Sequence, residues 1–408
     1  MKQILLSLLA IVIFIEADAQ ITNYTESEGL VKNAVNCLDV AASDVMWFGT
    51  DSGVAIFDGM NWVNHNTSTD AGFVSDVVSA ITVLDNGDVW IGSDDGAAHF
   101  DGSTWTTYTE TEGLGDDRIK SIYEMVDGTI AFGTEIGFTL YDGTDWTSYG
   151  MGDGLPFGGV TSFTQNSTEV LYFGTALGGV GVLDGPFDFI EEDDDLLNDK
   201  VRAVVFNNDG QLLAGTSDGV SGFNGQDEWL FNHTQMYLMP PPDTLNPVED
   251  VKVDGEGNVW AAIYVDYLVT VGGVAVYDGT EWIQYDESNG LVGPVVRQLA
   301  IDSENNCWVA TSSGVSKIGA LDPANTGIFD FDVFDSMSIV PNPASDKIIV
   351  STDDMEPRLL EIYDVSMRLV KTKFIGNSAN TNSVDISDLN NGMYVLRFGN
   401  SVGRLMVN

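Results

Sequence analysis

Short apolar runs alternate along most of the chain with turns rich in Asp, Asn and Gly. One set comprises residues 79–84, 89–93, 97–100 and 105–109, separated by turns that include Asn86-Gly87 and Asp101-Gly102. Apolar runs of this length between such turns predict short antiparallel strands. The strands do not alternate cleanly between apolar and polar positions. The pattern therefore predicts four-stranded meanders that are covered on both faces.

This pattern recurs seven times, with a spacing of about 41 to 48 residues, which is typical of propeller blades. Each copy contains an apolar strand that ends near a small residue, and a turn, usually Asp-Gly, follows later in the same copy. The small residues are Gly49, Gly92, Gly133, Gly174, Gly215, Ala262 and Ala310. Neighbouring blades cover both faces of each sheet, which explains the apolar strands. Most recurrent Trp, Gly and Asp residues are accordingly interpreted as structural.

The two ends of the repeated region complement each other. Residues 21–30 resemble residues 105–114, which form the fourth strand and the following turn of their repeat, but no first three strands precede them. The seventh copy lacks a fourth strand after Lys317. We therefore expect residues 21–25 to complete the last blade and close the ring, which removes two exposed sheet edges. The predicted fold class is all-β, a seven-bladed propeller followed by a small β-sandwich.

The repeat resembles a known family at these positions. A Trp-x-Gly-Thr-x-x-Gly pattern with a following aromatic-Asp-Gly is similar to the two-component-regulator propeller repeat. That repeat is best known in the periplasmic sensor regions of hybrid histidine kinases, and it also occurs in secreted proteins. The resemblance covers most of residues 21–320. Copies five to seven depart from it, because Leu213 replaces the Trp and Ala262 and Ala310 replace the Gly.

Residues 338–408 form a different module after a linker at residues 321–337. Several short strands in about 70 residues predict a small sandwich. It contains Pro341-Asn342-Pro343-Ala344 near its start, Gly392-Met393-Tyr394-Val395 further on and Arg404 near its end. With these pieces the segment resembles the C-terminal (Por) sorting domain, type A, of the type IX secretion system of Bacteroidota. The resemblance implies passage through the periplasm, transit across the outer membrane and removal of this domain. The residues that carry the predicted secretion signal are Pro341, Asn342, Pro343, Gly392, Tyr394 and Arg404.

Residues 1–19 have the features of a signal peptide. Lys2 is followed by a short apolar run, and Ala17-Asp18-Ala19 fits a small-x-small cleavage site. No other stretch reaches the length of a transmembrane helix. We therefore predict export, and a propeller over residues 20–320. The expected location is the cell surface or the extracellular space, reached through the periplasm and with the type IX secretion machinery as a partner.

The formal net charge of −46 belongs mainly to the propeller. Residues 20–337 contain 52 Asp and Glu against 8 Lys and Arg, whereas residues 338–408 contain 8 against 7. Such acidity argues against nucleic acid or an anionic membrane as a partner. It is compatible with cations, basic partners or neutral ligands, and equally with a surface that only keeps the protein soluble.

The sequence contains few groups suited to catalysis. It has three histidines and two cysteines, and no metal-ligand spacing, P-loop or nucleophile elbow. The Asp-rich stretch from Asp254 to Trp260 lacks the ligand spacing of an EF-hand and is interpreted as a hairpin turn. We predict no cofactor, with an incidental calcium ion left open. A disulfide between Cys37 and Cys307 is also left open, with two buried thiols favoured.

Three breaks in the repeat predict the binding site. They are the acidic run 191–195, the long connection 231–246 and an insertion at residues 263–271, all expected on one face over blades four to six. Tolerated loop variation is the alternative explanation. The candidate ligand-binding residues are His233, Tyr237, Tyr264, Asp266 and Tyr267. No metal site is predicted firmly, and the calcium ion left open above would lie near Glu191, Asp193 and Asp195.

Two main functions are compatible with these features. The first is a secreted or surface-attached binding module for a glycan, peptide or protein. The second is a secreted propeller enzyme, such as a polysaccharide lyase or glycoside hydrolase. The sequence shows no convergent His, Tyr, Arg and carboxylate set across several blades, which favours binding. A detached relative of a sensor, reporting to a partner, is a third possibility, although no kinase segment is present.

Overall fold

The computed structural model describes residues 21–191, 196–223, 229–233, 247–266, 270–321, 338–351, 358–364, 369–375, 382–387, 389, 392–398 and 401–407. Contacts divide the chain into two compact units, which meet in sequence between residues 322 and 323. The predicted signal peptide lies outside the described residues. Among the described residues, no helix combines the length and apolarity needed to cross a membrane.

The first unit consists of seven four-stranded antiparallel sheets, each a blade. Blade one contains β2 (Val35–Val40), β3 (Met46–Thr50), β4 (Gly53–Phe57) and β5 (Trp62–His65). Blade two contains β6 (Ala80–Val83), β7 (Val89–Ser93), β8 (Gly96–Phe100) and β9 (Trp105–Tyr108). Blade three contains β10 (Ile119–Glu124), β11 (Ile130–Thr134), β12 (Gly137–Tyr141) and β13 (Trp146–Gly150). Blade four contains β14 (Val160–Gln165), β15 (Leu171–Thr175), β16 (Val180–Leu183) and β17 (Phe187–Ile190).

The remaining blades follow the same order. Blade five contains β18 (Val201–Phe206), β19 (Leu212–Thr216), β20 (Gly219–Phe223) and β21 (Trp229–His233). Blade six contains β22 (Val248–Val253), β23 (Val259–Asp266), β24 (Thr270–Tyr277) and β25 (Trp282–Tyr285). Blade seven contains β26 (Val296–Ile301), β27 (Cys307–Thr311), β28 (Gly314–Ile318) and, from the start of the chain, β1 (Ile21–Tyr24). Short 3-10 turns occupy Met151–Asp153 and Glu287–Asn289.

The N-terminal strand closes the ring, as predicted. β1 pairs antiparallel with β28, with Ile21 opposite Ile318 and Tyr24 opposite Val315. The Asn23 side chain reinforces this pairing, since it donates to Gly290 O at 2.9 Å and accepts from Ser316 Oγ at 2.7 Å. The seven-bladed prediction is therefore confirmed, and blades five to seven are as regular in strand order as the first four.

Aromatic and branched side chains fill the space between consecutive blades. Phe48, Phe57 and Trp308 belong to one cluster that joins blades seven and one. The small residue of each repeat permits this close packing, because a Cβ on Gly215 would lie 2.8 Å from Val248 Cγ1 of the next blade. That separation is shorter than real Cβ atoms tolerate. The repeat glycines are thus explained by blade contact.

The Asp-rich turn before β23 has a structural role. Asp254 Oδ2 accepts a hydrogen bond from Trp260 Nε1 at 3.0 Å, so the carboxylate fixes the buried indole of its own blade. Asp302 does the same for Trp308 at 2.9 Å in blade seven. Both carboxylates are buried, and each also accepts backbone N–H bonds within its turn. The sequence interpretation of this stretch as a hairpin turn is consistent with this geometry.

The two cysteines are buried free thiols. Cys37 lies on β2 and Cys307 on β27, so they belong to the neighbouring first and seventh blades without forming a disulfide. Burial raises the pKa of both thiols. A thiol held in its protonated form by burial is a poor nucleophile.

The second unit is a small two-sheet β structure. β29 (Ser338–Val340), β30 (Lys347–Ser351) and β33 (Asn382–Asp385) form one sheet in that order. The other sheet has the order β32-β31-β34-β35, formed by β31 (Arg358–Asp364), β32 (Leu369–Ile375), β34 (Gly392–Phe398) and β35 (Ser401–Val407). One apolar cluster draws on both sheets, with Ile348 from the first and Leu396 from the second. This is the arrangement predicted for a small sandwich.

Candidate functional site

Strand order determines which loops share a face of the propeller. In every blade the first strand starts, the second ends, the third starts and the fourth ends on the same side of the ring. The blade-to-blade connections and the hairpins between second and third strands therefore lie on one face, which we call the upper face. The described strands that flank the predicted stretches 191–195, 231–246 and 263–271 all reach this face at those ends.

The acidic run has the length of a regular connection. The Leu196 N–H donates to Glu191 O at 3.3 Å, between the two described residues that flank the rest of the run. The same closure joins Leu30 to Thr25 and Leu114 to Thr109 in other connections. The run is therefore unusual in charge and not in length. Asp193 and Asp195 lie outside the described residues, so the calcium site predicted there stays a prediction.

The long connection after blade five lies mostly outside the described residues, and Tyr237 with it. His233, at the end of β21, is described and half-buried. Its Nδ1 accepts a hydrogen bond from Trp282 Nε1 at 3.2 Å, and its ring lies 5.1 Å from that of Tyr277. Burial lowers the pKa of His233. His233 thus contributes to the contact between blades five and six.

The predicted insertion in blade six is an extension of its central hairpin. β23 and β24 each have eight residues, whereas their counterparts in other blades have four or five. Tyr264 pairs with Gly272 in this extension, and Asp266 pairs with Thr270 at its end. Tyr264 is half-buried, and its N–H donates to Pro247 O at 3.3 Å. Tyr267 lies outside the described residues.

Metal-binding clusters are not found in the described part of the chain: no group of three or more His, Cys, Asp or Glu side chains is arranged to hold an ion. Two histidines are instead held by carboxylates, His65 by Asp70 at 2.9 Å and His99 by Asp88 at 3.1 Å. His99 also lies 4.8 Å from the Trp90 ring. His99 therefore packs within blade two, where it is paired with Trp90 across the hairpin.

A cavity of about 250 Å³ occupies the centre of the ring. It is lined by the first strands of all seven blades, which lie next to one another around the axis. At the upper end of each first strand, a buried β-branched residue is followed by a residue that lines the cavity. The buried residues are Val35, Val78, Ile119, Val160, Val201, Val248 and Val296. We call the residues that follow them the channel ring: Asn36, Ser79, Lys120, Thr161, Arg202, Glu249 and Arg297.

A β-bulge sets the position of this ring. In six blades the register shifts between the buried residue and the one two places later, for example between Val201 and Ala203. The intervening residue is therefore left out of the strand pairing. Bulges reorient side chains in this way and are frequent next to functional sites. Ser79 takes the equivalent place immediately before β6.

The three neutral members of the ring link one blade to the next. Asn36 donates to Val78 O at 3.1 Å, Ser79 Oγ donates to Ile119 O at 2.7 Å, and Thr161 Oγ1 donates to Val201 O at 2.8 Å. Each bond runs to the buried residue of the following blade. A structural use of this position is therefore established for blades one, two and four.

The other four members of the ring are charged. Arg202 forms an ion pair with Glu249 of the next blade, and Lys120 lies 3.3 Å from both Asp94 and Glu135 at the rim. Arg297 has no ion-pair partner within 4.0 Å among the described residues. Burial of the Arg202 guanidinium lowers its pKa, because the charged form loses hydration.

Sequence reasoning missed the channel ring. Four of its seven members are charged, yet each belongs to a different strand and resembles an ordinary surface residue. The sequence signal that could have revealed it is the residue that follows the buried Val or Ile at the start of each repeat, once the seven repeats are aligned. In this alignment, three of the basic residues of a strongly acidic propeller occupy the same position of the repeat and therefore lie on one ring.

In the second unit, the predicted sorting residues are placed as follows. Asn342 Oδ1 accepts a hydrogen bond from Met406 N at 2.8 Å, which ties the Pro341-Asn342-Pro343 segment to the last strand. Tyr394 is buried on β34 opposite Leu405. Gly392 begins β34, and Arg404 lies on β35 opposite Val395. These residues therefore lie on the paired strands β34 and β35 and on the Pro341–Pro343 segment that is hydrogen-bonded to β35.

Comparison with protein families identifies this second unit. Residues 338–407 match the model of a secretion system C-terminal sorting domain. This domain directs secretion by the type IX system to the cell surface or outside the cell, so the secretion machinery handles this chain. A search of curated proteins found no match.

Solved structures with the same fold include extracellular sensor domains. The extracellular domain of a putative hybrid two-component system from B. thetaiotaomicron is 16% identical, with a TM-score of 0.67 over 96% of this chain and 58% of that one. A second such domain from the same organism is 20% identical, with a TM-score of 0.59 over 82% and 46%.

PorZ, a surface component of the type IX secretion system of Porphyromonas gingivalis, is also similar. It is 15% identical, with a TM-score of 0.55 over 93% of this chain and 60% of that one. The chain thus spans about half to three fifths of the length of these relatives, and the likeness concerns the fold. The protein is a seven-bladed β-propeller similar in fold to the extracellular domains of Bacteroides two-component systems, and it ends in a type IX secretion sorting domain.

Proposed function

We propose that this protein is a secreted or cell-surface binding module that presents the upper face of its propeller to a glycan, peptide or protein ligand. The observation that carries the proposal is the coincidence of two features on that face. The blade-six hairpin is extended to eight-residue strands, and the central cavity is lined there by the charged channel ring. In the other blades the strands of the corresponding hairpin have four or five residues.

The regularity of the rest of the ring supports the same role. Its apolar strands and repeated aromatic contacts form a rigid frame, and binding residues are usually carried by loops on such a frame. Tyr264 and Asp266 lie on the extended hairpin, Tyr267 belongs to the same predicted insertion, and Tyr237 belongs to the predicted long connection. Tyrosine rings in such positions can stack on sugars or contact a peptide.

The experiment is a ligand screen with the secreted protein, in which bound and released material are both analysed. Replacement of Tyr237, Tyr264 and Tyr267 by Ala should abolish binding of the ligand found and preserve the fold, with only a small fall in melting temperature from the loss of the half-buried Tyr264 ring. Undiminished affinity in the triple variant would move the site away from this sector. Release of chemically altered ligand would favour the enzyme alternative, a lyase or hydrolase.

A further inference from the structure

We propose that the central cavity binds the acidic group of the ligand, a carboxylate, sulfate or phosphate, through the cationic members of the channel ring. The inference rests on the proposed binding function and adds the chemical class of the ligand. It opposes the overall charge of the propeller, which by itself favours cationic or neutral partners. The arrangement of charges around the cavity nevertheless supports an anionic ligand group there.

The first argument is the distribution of basic residues. The propeller has 8 Lys and Arg against 52 Asp and Glu. Four of those eight line one cavity, namely Lys120, Arg202, Lys252 and Arg297. Three of the four occupy the same position of the repeat, on the channel ring. A cavity with walls of low polarisability strengthens the field of such charges compared with an open surface.

The second argument concerns how these charges are compensated. Asp250 lies 3.4 Å from Lys252, and it also accepts hydrogen bonds from the Val251 and Leu299 N–H groups, so this pair is used within the blades. Glu249 is engaged by Arg202. Arg297 lies on β26 of blade seven and has no ion-pair partner within 4.0 Å among the described residues. An anion in the cavity would supply that missing charge.

The third argument is that the backbone does not need these charged groups. In blades one, two and four, a neutral side chain at the same position donates to the next blade's carbonyl oxygen. A short polar residue therefore meets the structural requirement of the position. Arginine goes beyond it, because its planar guanidinium offers paired donors that match a carboxylate or phosphate.

The geometry also indicates the size and approach of the ligand. A cavity of about 250 Å³ is at the small end of ligand sites, so it suits a single acidic residue or the end of a chain. Blades three and seven lie on opposite sides of the ring, so Lys120 and Arg297 approach the cavity from opposite walls. The ring is at the upper face, the same face that carries the extended hairpin.

Isothermal titration of the purified full chain tests this inference, with glucuronate, inorganic sulfate, inorganic phosphate and an oligoglucuronide as probes and glucose as the neutral control. We expect at least one acidic probe to bind and glucose not to bind. Arg297→Gln should weaken that binding by about tenfold or more, as for the loss of a charge-assisted contact. The matched control Lys32→Gln removes an exposed cation outside the cavity and should leave the affinity unchanged.

Glu249→Gln provides a test of opposite sign. It removes a carboxylate that repels the anion and occupies Arg202, so the affinity for the acidic probe should rise several-fold. Loss of fold cannot produce such a rise.

Binding of the oligomer and not of free glucuronate or the inorganic ions identifies a chain end as the source of the acidic group. Equal affinity of parent and Arg297→Gln for the acidic probe overturns the inference, as does the absence of binding by every acidic probe at about 10 mM. A neutral ligand bound equally by parent and Arg297→Gln leaves the binding function intact and removes only the role of the cavity.

Discussion

Tyr24, on the closing strand β1, stacks on Trp308 of the last blade, with ring centroids 5.4 Å apart and an interplanar angle of 19°. The Tyr24 ring also lies 5.3 Å from Phe57 of blade one. One side chain from the closing strand therefore contacts both blades that meet at the junction of the ring. Closure depends on packing as well as on the hydrogen bonds between β1 and β28.

Removal of the closing strand should destabilise the propeller. Deletion of residues 20–28 exposes the edge of β28 and the aromatic cluster, so the melting temperature should fall by several degrees or more. Tyr24→Ala should cost about 1 to 3 kcal/mol by itself, since it removes the shared ring. Thr22→Ala, at an exposed position of the same strand, is the control. An unchanged melting curve for the deletion would show that the strand does not close the ring.

Asp302 should make the stability of the propeller depend on pH. Burial raises the pKa of Asp302, but hydrogen bonds from Trp308, Asn306 and Lys317 outweigh it and leave the pKa below its usual value. Because the folded pKa is the lower one, the stabilisation is complete above the unfolded value of about 3.9 and is lost as the pH falls through the folded pKa. Asp302→Asn should lower the melting temperature at pH 7 and reduce its decline between pH 5 and 2. Parallel pH profiles of parent and variant would contradict this role.

The sorting domain should be required for export and not for folding of the propeller. A chain ending near Asp335 should fold but remain in the periplasm, because the matched sorting domain occupies residues 338–407. Cell fractionation with a periplasmic lysis marker gives the distribution, and circular dichroism of the recovered chain gives the fold. Normal amounts of the truncated chain in the medium, without release of the marker, would refute the assignment.

The two thiols should be unreactive in the native protein. Cys37 and Cys307 are buried, unpaired and held protonated by burial. A thiol reagent should therefore label neither residue in buffer and both in denaturant. Intact-mass measurement of the unlabelled chain under oxidising conditions is the second readout. Rapid native labelling, or a mass lower by two hydrogens, would show an exposed thiol or a disulfide.

The fold was predictable because each blade repeats local signals. Turns such as Asn86-Gly87 and the small residues next to buried aromatics mark the strands, and the match between residues 21–30 and 105–114 revealed the closing strand. These features arise from turn chemistry and from contacts between adjacent blades, which recur in every copy.

The channel ring was not predictable in the same way. A bulge beside Val201 and its equivalents takes one residue out of the strand pairing, so the usual two-residue alternation does not reveal which side chain lines the cavity. The ring also varies in chemistry, from Ser79 to Arg297, because the backbone requires only a short polar group there. Its charges become informative only once seven distant positions are known to share one cavity.

The most direct test of the account is binding by the upper face, measured with the secreted protein against a panel of glycans and peptides. We expect saturable binding of a ligand that is recovered unchanged, lost when Tyr237, Tyr264 and Tyr267 are replaced by Ala. Met60→Ala, which removes an exposed side chain from a turn of the opposite face, should bind like the parent. Conversion of the ligand by the parent protein, or equal affinity in the parent and the triple variant, would contradict a binding module of this kind.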